Sequence, residues 1–172
     1  MIRLRPYKPM DASYLLNWLE NERRFAMWCA GKFTYPLTLE QLEEYRKETE
    51  HEENKWIFTA LNEAGRPVGH FFMRSADYQK QSVHLGFIIV DSNCRGQGLG
   101  KEMVQLAVRY AFEILKMDRV TLTVFESNPA AHACYLACGF REEAYRPRGF
   151  SYKAETWGCY DMAIERNPVS QA

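Results

Sequence analysis

Apolar and polar residues follow two different periods in the first part of the chain. Residues 2–5 alternate apolar and charged side chains, which predicts a short strand. From Asp11 to about Glu22 apolar residues recur at helical spacing, which predicts a helix with Asp11 as its cap. Residues 23–37 lose this periodicity and concentrate aromatic side chains instead. The pattern therefore predicts a strand, a helix and an irregular aromatic segment, in this order.

A capping-box sequence, Thr38-Leu39-Glu40-Gln41, opens the next predicted helix, which is acidic and runs to about His51. Short polar turns then separate several segments rich in β-forming residues. These predicted strands lie at 55–61, 67–74 and 82–90. Because the turns between them are short, this part of the chain is predicted to be an antiparallel meander.

Helix and strand alternate in the remainder of the chain. The predicted elements are a helix at 100–116, a strand at 119–125, a helix from Asn128 to Gly139, and closing strands at 140–145 and about 153–165. The complete order β-α-α-β-β-β-α-β-α-β-β predicts an α/β fold. We expect a mixed, mostly antiparallel sheet of six or seven strands that is flanked by about four helices.

The amino-acid composition argues against several classes of protein. The 172 residues include 22 Lys+Arg and 22 Asp+Glu, and 47% are hydrophobic. Zero net charge argues against a general binder of nucleic acid or of membrane surfaces. There is neither an apolar run long enough to span a membrane nor the apolar stretch of a signal peptide, so a cytoplasmic protein is expected. We expect one domain over residues 1–166 and a loose tail at 167–172.

The five cysteines indicate neither a disulfide framework nor a zinc site, because their number is odd and no CxxC pair occurs. Cys134 and Cys138 are four residues apart and would share one face of a helix. They could form half of a metal site, but two small core residues are the simpler interpretation. No metal is expected.

The segment Arg95-Gly96-Gln97-Gly98-Leu99-Gly100-Lys101 has the features of a phosphate-binding loop. Small residues let the backbone approach an anion, and the following helix offers unpaired N–H groups at its positive end. A Walker A loop is excluded because Lys101 is followed by Glu102 instead of Ser or Thr. A Rossmann fingerprint is excluded because its third glycine would fall on Lys101. The pattern R/Q-x-x-G-x-G/A fits.

This loop and its surroundings resemble the GNAT superfamily of N-acetyltransferases over about residues 82–142. The segment His84-Leu85-Gly86-Phe87-Ile88-Ile89-Val90 has the form of the family's central strand. Asn128 and the sequence Tyr135-x-x-x-Gly139-Phe140 follow the loop at a family-like distance. The opening segment, residues 4–19, is similar to the branch that holds ribosomal-protein and aminoglycoside N-acetyltransferases.

The resemblance implies acetyl-CoA as the co-substrate. In the family the loop amides hold the diphosphate, and the central strand, which a bulge splays from the strand at 119–125, pairs with the pantetheine arm. The residues expected to bind acetyl-CoA are Ile88, Ile89, Val90, Arg95, Gly96, Gln97, Gly98, Leu99, Gly100, Lys101 and Asn128. Two of these have equally simple alternatives, since Lys101 could be a solvated helix residue and Asn128 a plain helix cap.

Acetyl transfer requires a neutral amine, and only about 0.04% of a lysine-like amine is neutral at pH 7. A base is therefore expected. Its candidates are His84, which stands where many family members carry glutamate, and Glu126 at the end of the next strand. Tyr135 matches the family's general acid for the leaving thiolate. Each also has a purely structural interpretation: His84 as a half-buried strand residue, Glu126 as a surface carboxylate and Tyr135 as a core residue.

The predicted activity is transfer of acetyl to a primary amine by direct attack in a ternary complex. The alternative is a non-catalytic acyl-CoA sensor or subunit of the same fold. The acceptor is expected between the aromatic segment around Phe25, Trp28, Phe33 and Tyr35 and the loop 146–152. It could be a small molecule or a protein N-terminus. An exposed late strand could also pair two copies in a homodimer.

Overall fold

Seven strands form a single sheet in the computed structural model, which describes residues 1–166. The strands are β1 (Arg3–Pro6), β2 (Trp56–Leu61), β3 (Pro67–Asp77), β4 (Ser82–Val90), β5 (Arg119–Phe125), β6 (Arg141–Tyr152) and β7 (Glu155–Glu165). Their order across the sheet is β1-β2-β3-β4-β5-β7-β6, and every neighbouring pair is antiparallel except β4 and β5. The prediction of a mixed, mostly antiparallel sheet is confirmed. The tail expected at 167–172 lies outside the described residues.

Five α-helices flank the sheet, one more than the pattern predicts. They are α1 (Ala12–Trp18), α2 (Glu22–Cys29), α3 (Leu39–Glu50), α4 (Leu99–Arg109) and α5 (Pro129–Ala137). A π-helical turn, Tyr110–Ile114, continues α4. Within residues 1–166, no helix has both the length and the apolar composition needed to cross a bilayer.

The extra helix is α2, and the prediction of an irregular segment after Glu22 is wrong at this point. The Asn21 side chain accepts a hydrogen bond from Arg24 N at 2.9 Å and starts a new helix there. This helix ends at Ala30, which has a left-handed φ of 46°. The first helix, predicted to run to about Glu22, is shorter than predicted, because α1 stops at Trp18.

The capping-box sequence before α3 forms only half of the predicted pair of bonds. Thr38 Oγ1 accepts from Gln41 N at 3.2 Å, as predicted. The Gln41 amide instead accepts from Thr34 N at 2.8 Å and donates to Thr34 O at 3.0 Å. The Gln41 side chain therefore fixes the loop that precedes the helix, and Thr38 alone caps it.

Helices cover both faces of the sheet, so two hydrophobic cores result. On one face α4 and α5 pack against the sheet through residues such as Met103, Val104 and Tyr135. On the other face α1, α2 and α3 pack over the β1–β4 half, where Trp28 and Phe72 are buried. A third, small aromatic core lies at β5 and β7.

A bulge in β4 separates this strand from β5. His70 of β3 is opposite Ile89 and Phe72 is opposite Gly86, so β4 contains one additional residue between these pairs. Phe87 adopts a left-handed φ of 50° there, and its carbonyl accepts a hydrogen bond from Trp28 Nε1 at 2.8 Å. β4 pairs with β5 only over residues 82–84. Beyond that point the strands diverge, which confirms the expected splay and leaves an opening between them.

Candidate active site

The opening between β4 and β5 widens into a cavity of about 890 Å³ that is bounded by α2, the glycine loop and α5. It is lined by most of the residues expected to bind acetyl-CoA: Ile88, Ile89, Val90, Arg95, Gly96, Gly98, Leu99, Gly100, Lys101 and Asn128. Gln97 is exposed and lies outside the cavity wall. Ten of the eleven residues expected to bind acetyl-CoA therefore line the cavity.

The glycine loop has the backbone geometry of an anion site. Gly96 and Gly98 have left-handed φ angles of 75° and 76°, which only glycine adopts at little cost. The first hydrogen bond of α4 runs from Glu102 N to Gly98 O at 3.0 Å. The amides of residues 99–101 come before this bond and have no helical acceptor, so they are available to an anion.

Three cations surround this loop, and the sequence analysis identified two of them, Arg95 and Lys101. The third is Arg24 of α2, whose Nη2 donates to Val90 O at 2.9 Å. Its Nε is buried without a hydrogen-bond partner among the described residues. Burial and the nearby Arg95 lower the pKa of Arg24. Because α2 was not predicted, no pattern connected Arg24 with the loop.

The residues present fit acetyl-CoA. Within residues 1–166, no carboxylate lines the cavity, whereas four cations, Arg23, Arg24, Arg95 and Lys101, and a row of free amides do. This charge distribution suits a diphosphate. The unpaired edge of β4 beyond His84 suits an extended arm that carries amide groups.

Replacing Arg24 with glutamine is expected to weaken binding of acetyl-CoA about tenfold, because a charge-assisted hydrogen bond to phosphate is worth about 1.5–3 kcal/mol. Isothermal titration calorimetry of Arg24→Gln would measure this change. The adjacent Arg23 provides a matched control, since its guanidinium is already paired with Glu155 at 2.6 and 2.9 Å. An equal Kd for Arg24→Gln and the unmodified protein would contradict the prediction.

Tyr135 lies in the cavity wall on α5 and is 7% exposed. Burial raises the pKa of its phenol, and the neighbouring thiols Cys134 and Cys138 add to the effect. The phenol is therefore protonated at neutral pH and available as a hydrogen-bond donor.

Asn128 also lines the cavity while its Oδ1 caps α5 by accepting from Ala131 N at 3.3 Å. For Asn128 both interpretations, helix cap and cavity residue, agree with the geometry.

His84 lies just outside the cavity wall, where β4 and β5 are still paired. Its Nδ1 is 2.8 Å from Thr121 Oγ1, and the next residues on the same face of the two strands, Gly86 and Thr123, line the cavity. Burial, together with the charge of Arg74, lowers the pKa of His84 to about 4. The imidazole is therefore neutral at pH 7, and it could reach a reacting amine only through water.

Glu126 follows β5 and lies outside the cavity wall next to Phe125, which lines it. Its Oε2 accepts from Tyr145 at 2.6 Å and its Oε1 accepts from Gly158 N at 2.9 Å. These two hydrogen bonds lower the pKa of Glu126, which makes it a weak base. A Cβ at Gly158 would lie 2.9 Å from Glu126 Cδ, so the absence of a side chain there leaves room for the carboxylate.

Two histidines, the buried His70 and the half-buried His84, make the stability of the fold depend on pH. Burial lowers the pKa of His70 to about 3, and that of His84 is about 4, whereas unfolded histidine titrates near 6.5. The unfolded chain therefore binds more protons below pH 6.5. We expect the free energy of unfolding to fall, as pH decreases from 6.5 towards 4, by up to about 1.4 kcal/mol per pH unit for each histidine.

Urea unfolding at pH 7.0, 6.0 and 5.0 would measure this dependence. His70→Phe, which cannot bind a proton, should show a smaller loss of stability between pH 6.5 and 5 than the unmodified protein. The exposed His51 offers the matched control His51→Gln, which should keep the full pH dependence. A free energy of unfolding that stays constant over this range would contradict the prediction.

The hairpin of β6 and β7 packs beside α2. The loop expected at 146–152 is part of β6 in the structure, and none of its residues lines the cavity. Ion pairs fasten the hairpin to α2: Arg23 binds Glu155, and Lys153 Nζ is 2.8 Å from Glu22. The expected aromatic segment is mainly core, because Trp28 stacks on Phe33 at 5.4 Å and only Trp28 of this segment lines the cavity within residues 1–166.

Known proteins with similar sequences are N-acetyltransferases. The spermidine N(1)-acetyltransferase of Vibrio cholerae is 24% identical over 144 residues, which cover 84% of this chain and 81% of that protein. An N-acetyltransferase 9-like protein of Caenorhabditis elegans is 26% identical over 157 residues, which cover 83% of this chain and 76% of that protein. The branch expected from residues 4–19 stays a prediction.

The fold agrees with these relatives. The crystal structure of spermidine N-acetyltransferase from Vibrio cholerae in complex with CoA and spermine superposes with a TM-score of 0.85 at 23% identity, covering 95% of both chains. The family model described as Acetyltransferase (GNAT) domain matches residues 2–141. This chain is therefore a member of the GNAT acetyltransferase family.

Proposed function

We propose that this protein transfers the acetyl group of acetyl-CoA to a primary amine by direct attack in a ternary complex. The observation that carries the proposal is the splay of β4 from β5, which opens into one cavity that holds both the anion loop and Tyr135. Membership in the GNAT family supports the same reaction.

The backbone of β4 supplies groups for both binding and catalysis. Asp91 N donates to Val68 O of β3, and successive residues of a strand direct their amides to opposite edges. The amide of Ile89 is therefore directed to β3, and the amide of Val90 faces the opening. We therefore propose that the amide of Val90 stabilises negative charge on the thioester oxygen.

Tyr135 is the proposed general acid, since its protonated phenol in the cavity wall can donate a proton to the leaving thiolate. His84 is the proposed base. It would accept the proton of the amine through water, because it lies one residue pair outside the wall. Glu126 is less suited to this role, because both of its carboxylate oxygens already accept hydrogen bonds.

A non-catalytic acyl-CoA sensor is the second candidate. It is favoured by one observation: the pKa of His84 is lowered to about 4 and that of Glu126 is lowered as well, so both candidate bases are weak at neutral pH. The requirement for a base depends on the acceptor, because an α-amino group is deprotonated in about a tenth of molecules at pH 7.

The acceptor is proposed to be a small amine or a protein N-terminus. The names of the Vibrio cholerae relatives support a polyamine. The cavity lining instead supports an acceptor with a single amine, because no carboxylate within residues 1–166 lines the cavity to bind the additional charges of a polycation.

We also propose a cytoplasmic location and pairing into homodimers. The neutral composition supports the former. The exposed edge strand β6 supports the latter, as does the dodecameric structure of the Vibrio cholerae spermidine N-acetyltransferase.

Acetyl-CoA-dependent release of free thiol would test the proposed reaction. The acceptor panel should contain spermidine, an aminoglycoside, a monoamine and peptides with free N-termini. Turnover with one class establishes the enzyme and identifies its acceptor. Binding of acetyl-CoA by calorimetry without turnover on any acceptor supports the sensor, and the absence of binding contradicts both.

A further inference from the structure

Two thiols meet at the wall of the acetyl-CoA cavity, where the proposed reaction does not use them. Cys134 lies on α5 and Cys138, one turn later, caps the end of this helix; both are half-buried. Cys134 lines the cavity beside Gly100 and Lys101. Its Sγ would lie 3.9 Å from a Cβ built on Gly100, so the sulfur faces the start of α4, next to the anion loop.

Cys138 is positioned to activate its neighbour. Its thiol donates to Lys101 O at 3.7 Å and can instead donate to the sulfur of Cys134, one turn away. Donation from Cys138 lowers the pKa of Cys134 against the opposing effect of burial, and the ammonium of Lys101 acts in the same direction as Cys138. The same hydrogen bond raises the pKa of Cys138. At neutral pH a larger fraction of Cys134 is therefore the reactive thiolate than the few per cent of an ordinary thiol.

We propose that Cys134 is a site of S-thiolation: a low-molecular-weight disulfide modifies it, and the resulting adduct blocks the binding of acetyl-CoA. The Cys134 thiolate attacks one sulfur of the small disulfide. The S–S bond of that molecule breaks, and its other half leaves as a thiolate with the electron pair. The protein thiol is oxidised to a mixed disulfide, and the departing half is reduced.

The position of Cys134 determines the consequence of this modification. An adduct on its sulfur projects into the cavity beside the amides of residues 99–101, where the diphosphate of acetyl-CoA would bind. The adduct and the co-substrate therefore exclude each other. Bound acetyl-CoA should protect Cys134, and reduction of the mixed disulfide should restore binding.

A nitrobenzoate disulfide, which releases a coloured thiolate, is the probe for the test. Peptide mapping by mass spectrometry would give the rate at each cysteine of the intact protein. Cys94 is the internal reference, because it is half-buried and lines the same cavity but has no cysteine one turn away. We expect Cys134 to react about tenfold faster than Cys94 at pH 7. We expect Cys138→Ala to slow the reaction of Cys134 about tenfold.

Two further measurements concern the cavity. Saturating acetyl-CoA should slow modification of Cys134 at least tenfold. The modified protein should show no acetyl-CoA binding by calorimetry until dithiothreitol removes the adduct. The Cys134→Ser variant, treated with the same disulfide, should keep the affinity for acetyl-CoA that it has before treatment. Equal rates at Cys134 and Cys94, or unchanged affinity after complete modification of Cys134, would overturn the proposal.

The blocking step rests on the proposed use of this cavity for acetyl-CoA, but the reactivity of Cys134 does not. Failure of the unmodified protein to bind acetyl-CoA would contradict the proposed function alone. Normal binding together with an unreactive Cys134 would contradict the thiolation site alone.

Discussion

Removing the phenol oxygen in Tyr135→Phe is expected to lower kcat at least about 100-fold, the usual contribution of a positioned general acid. The KM for acetyl-CoA should change less than about twofold, because the ring keeps its packing in the cavity wall. The physical reason is that the leaving thiolate loses its proton donor, whereas the groups that bind the diphosphate are unaffected. Steady-state kinetics with the acceptor found in the panel would measure both constants.

Tyr110→Phe is the matched control for this change. Tyr110 packs edge-on against Phe58 at 5.0 Å in the core beside α4, outside the cavity wall. Removal of its hydroxyl should leave kcat within about twofold. If Tyr135→Phe retained the activity of the unmodified protein, Tyr135 would be an ordinary core tyrosine and the proposed acid would have to be another group.

Replacing Trp28 with alanine is expected to reduce the free energy of unfolding by about 3–5 kcal/mol, as for other buried aromatic residues. Trp28 is 7% exposed and packs against Phe33 at 5.4 Å and Phe87 at 5.0 Å. Its loss leaves a cavity between α2 and the sheet. Urea unfolding monitored by circular dichroism would measure the change.

Trp28→Phe separates packing from the hydrogen bond to the bulge. This variant keeps an aromatic ring but removes the donor to Phe87 O, which leaves that carbonyl without its partner. We expect a smaller loss of stability than for alanine and about a tenfold higher Kd for acetyl-CoA, because the bulge that opens β4 from β5 is less well fixed. An unchanged Kd would show that the bulge does not depend on Trp28.

Periodicity predicted most elements because those segments are governed by local patterns. The limits of β4 and β5 agree with the predicted ranges, and the helix after the glycine loop begins within one residue of its predicted start. The miss at α2 has a local cause as well. Several aromatic residues lie close together in and after this helix and hide its helical spacing. The cap Asn21 also follows closely on the end of α1, so the pattern of apolar residues did not indicate a new helix.

In the candidate site, too, residues that are close together along the chain were predicted, whereas a residue from a distant segment was missed. The loop residues and Tyr135 were found from their motifs, since a phosphate loop needs its glycines next to one another in the sequence. Arg24 was missed because it reaches the cavity from α2, 66 residues away from the carbonyl that it binds. No local pattern reports such a contact.

The sequence by itself determined the order of strands and helices, the glycine loop with its two cations, and the family resemblance that points to acetyl-CoA. All of these rest on residues that are near one another along the chain. Only the tertiary structure decided how the side chains behave. Burial against distant strands lowers the pKa of His84, hydrogen bonds from Tyr145 and Gly158 hold Glu126, and α5 brings Cys134 against the start of α4. Protonation and reactivity depend on desolvation and on neighbouring charges, and these are set when remote segments pack together.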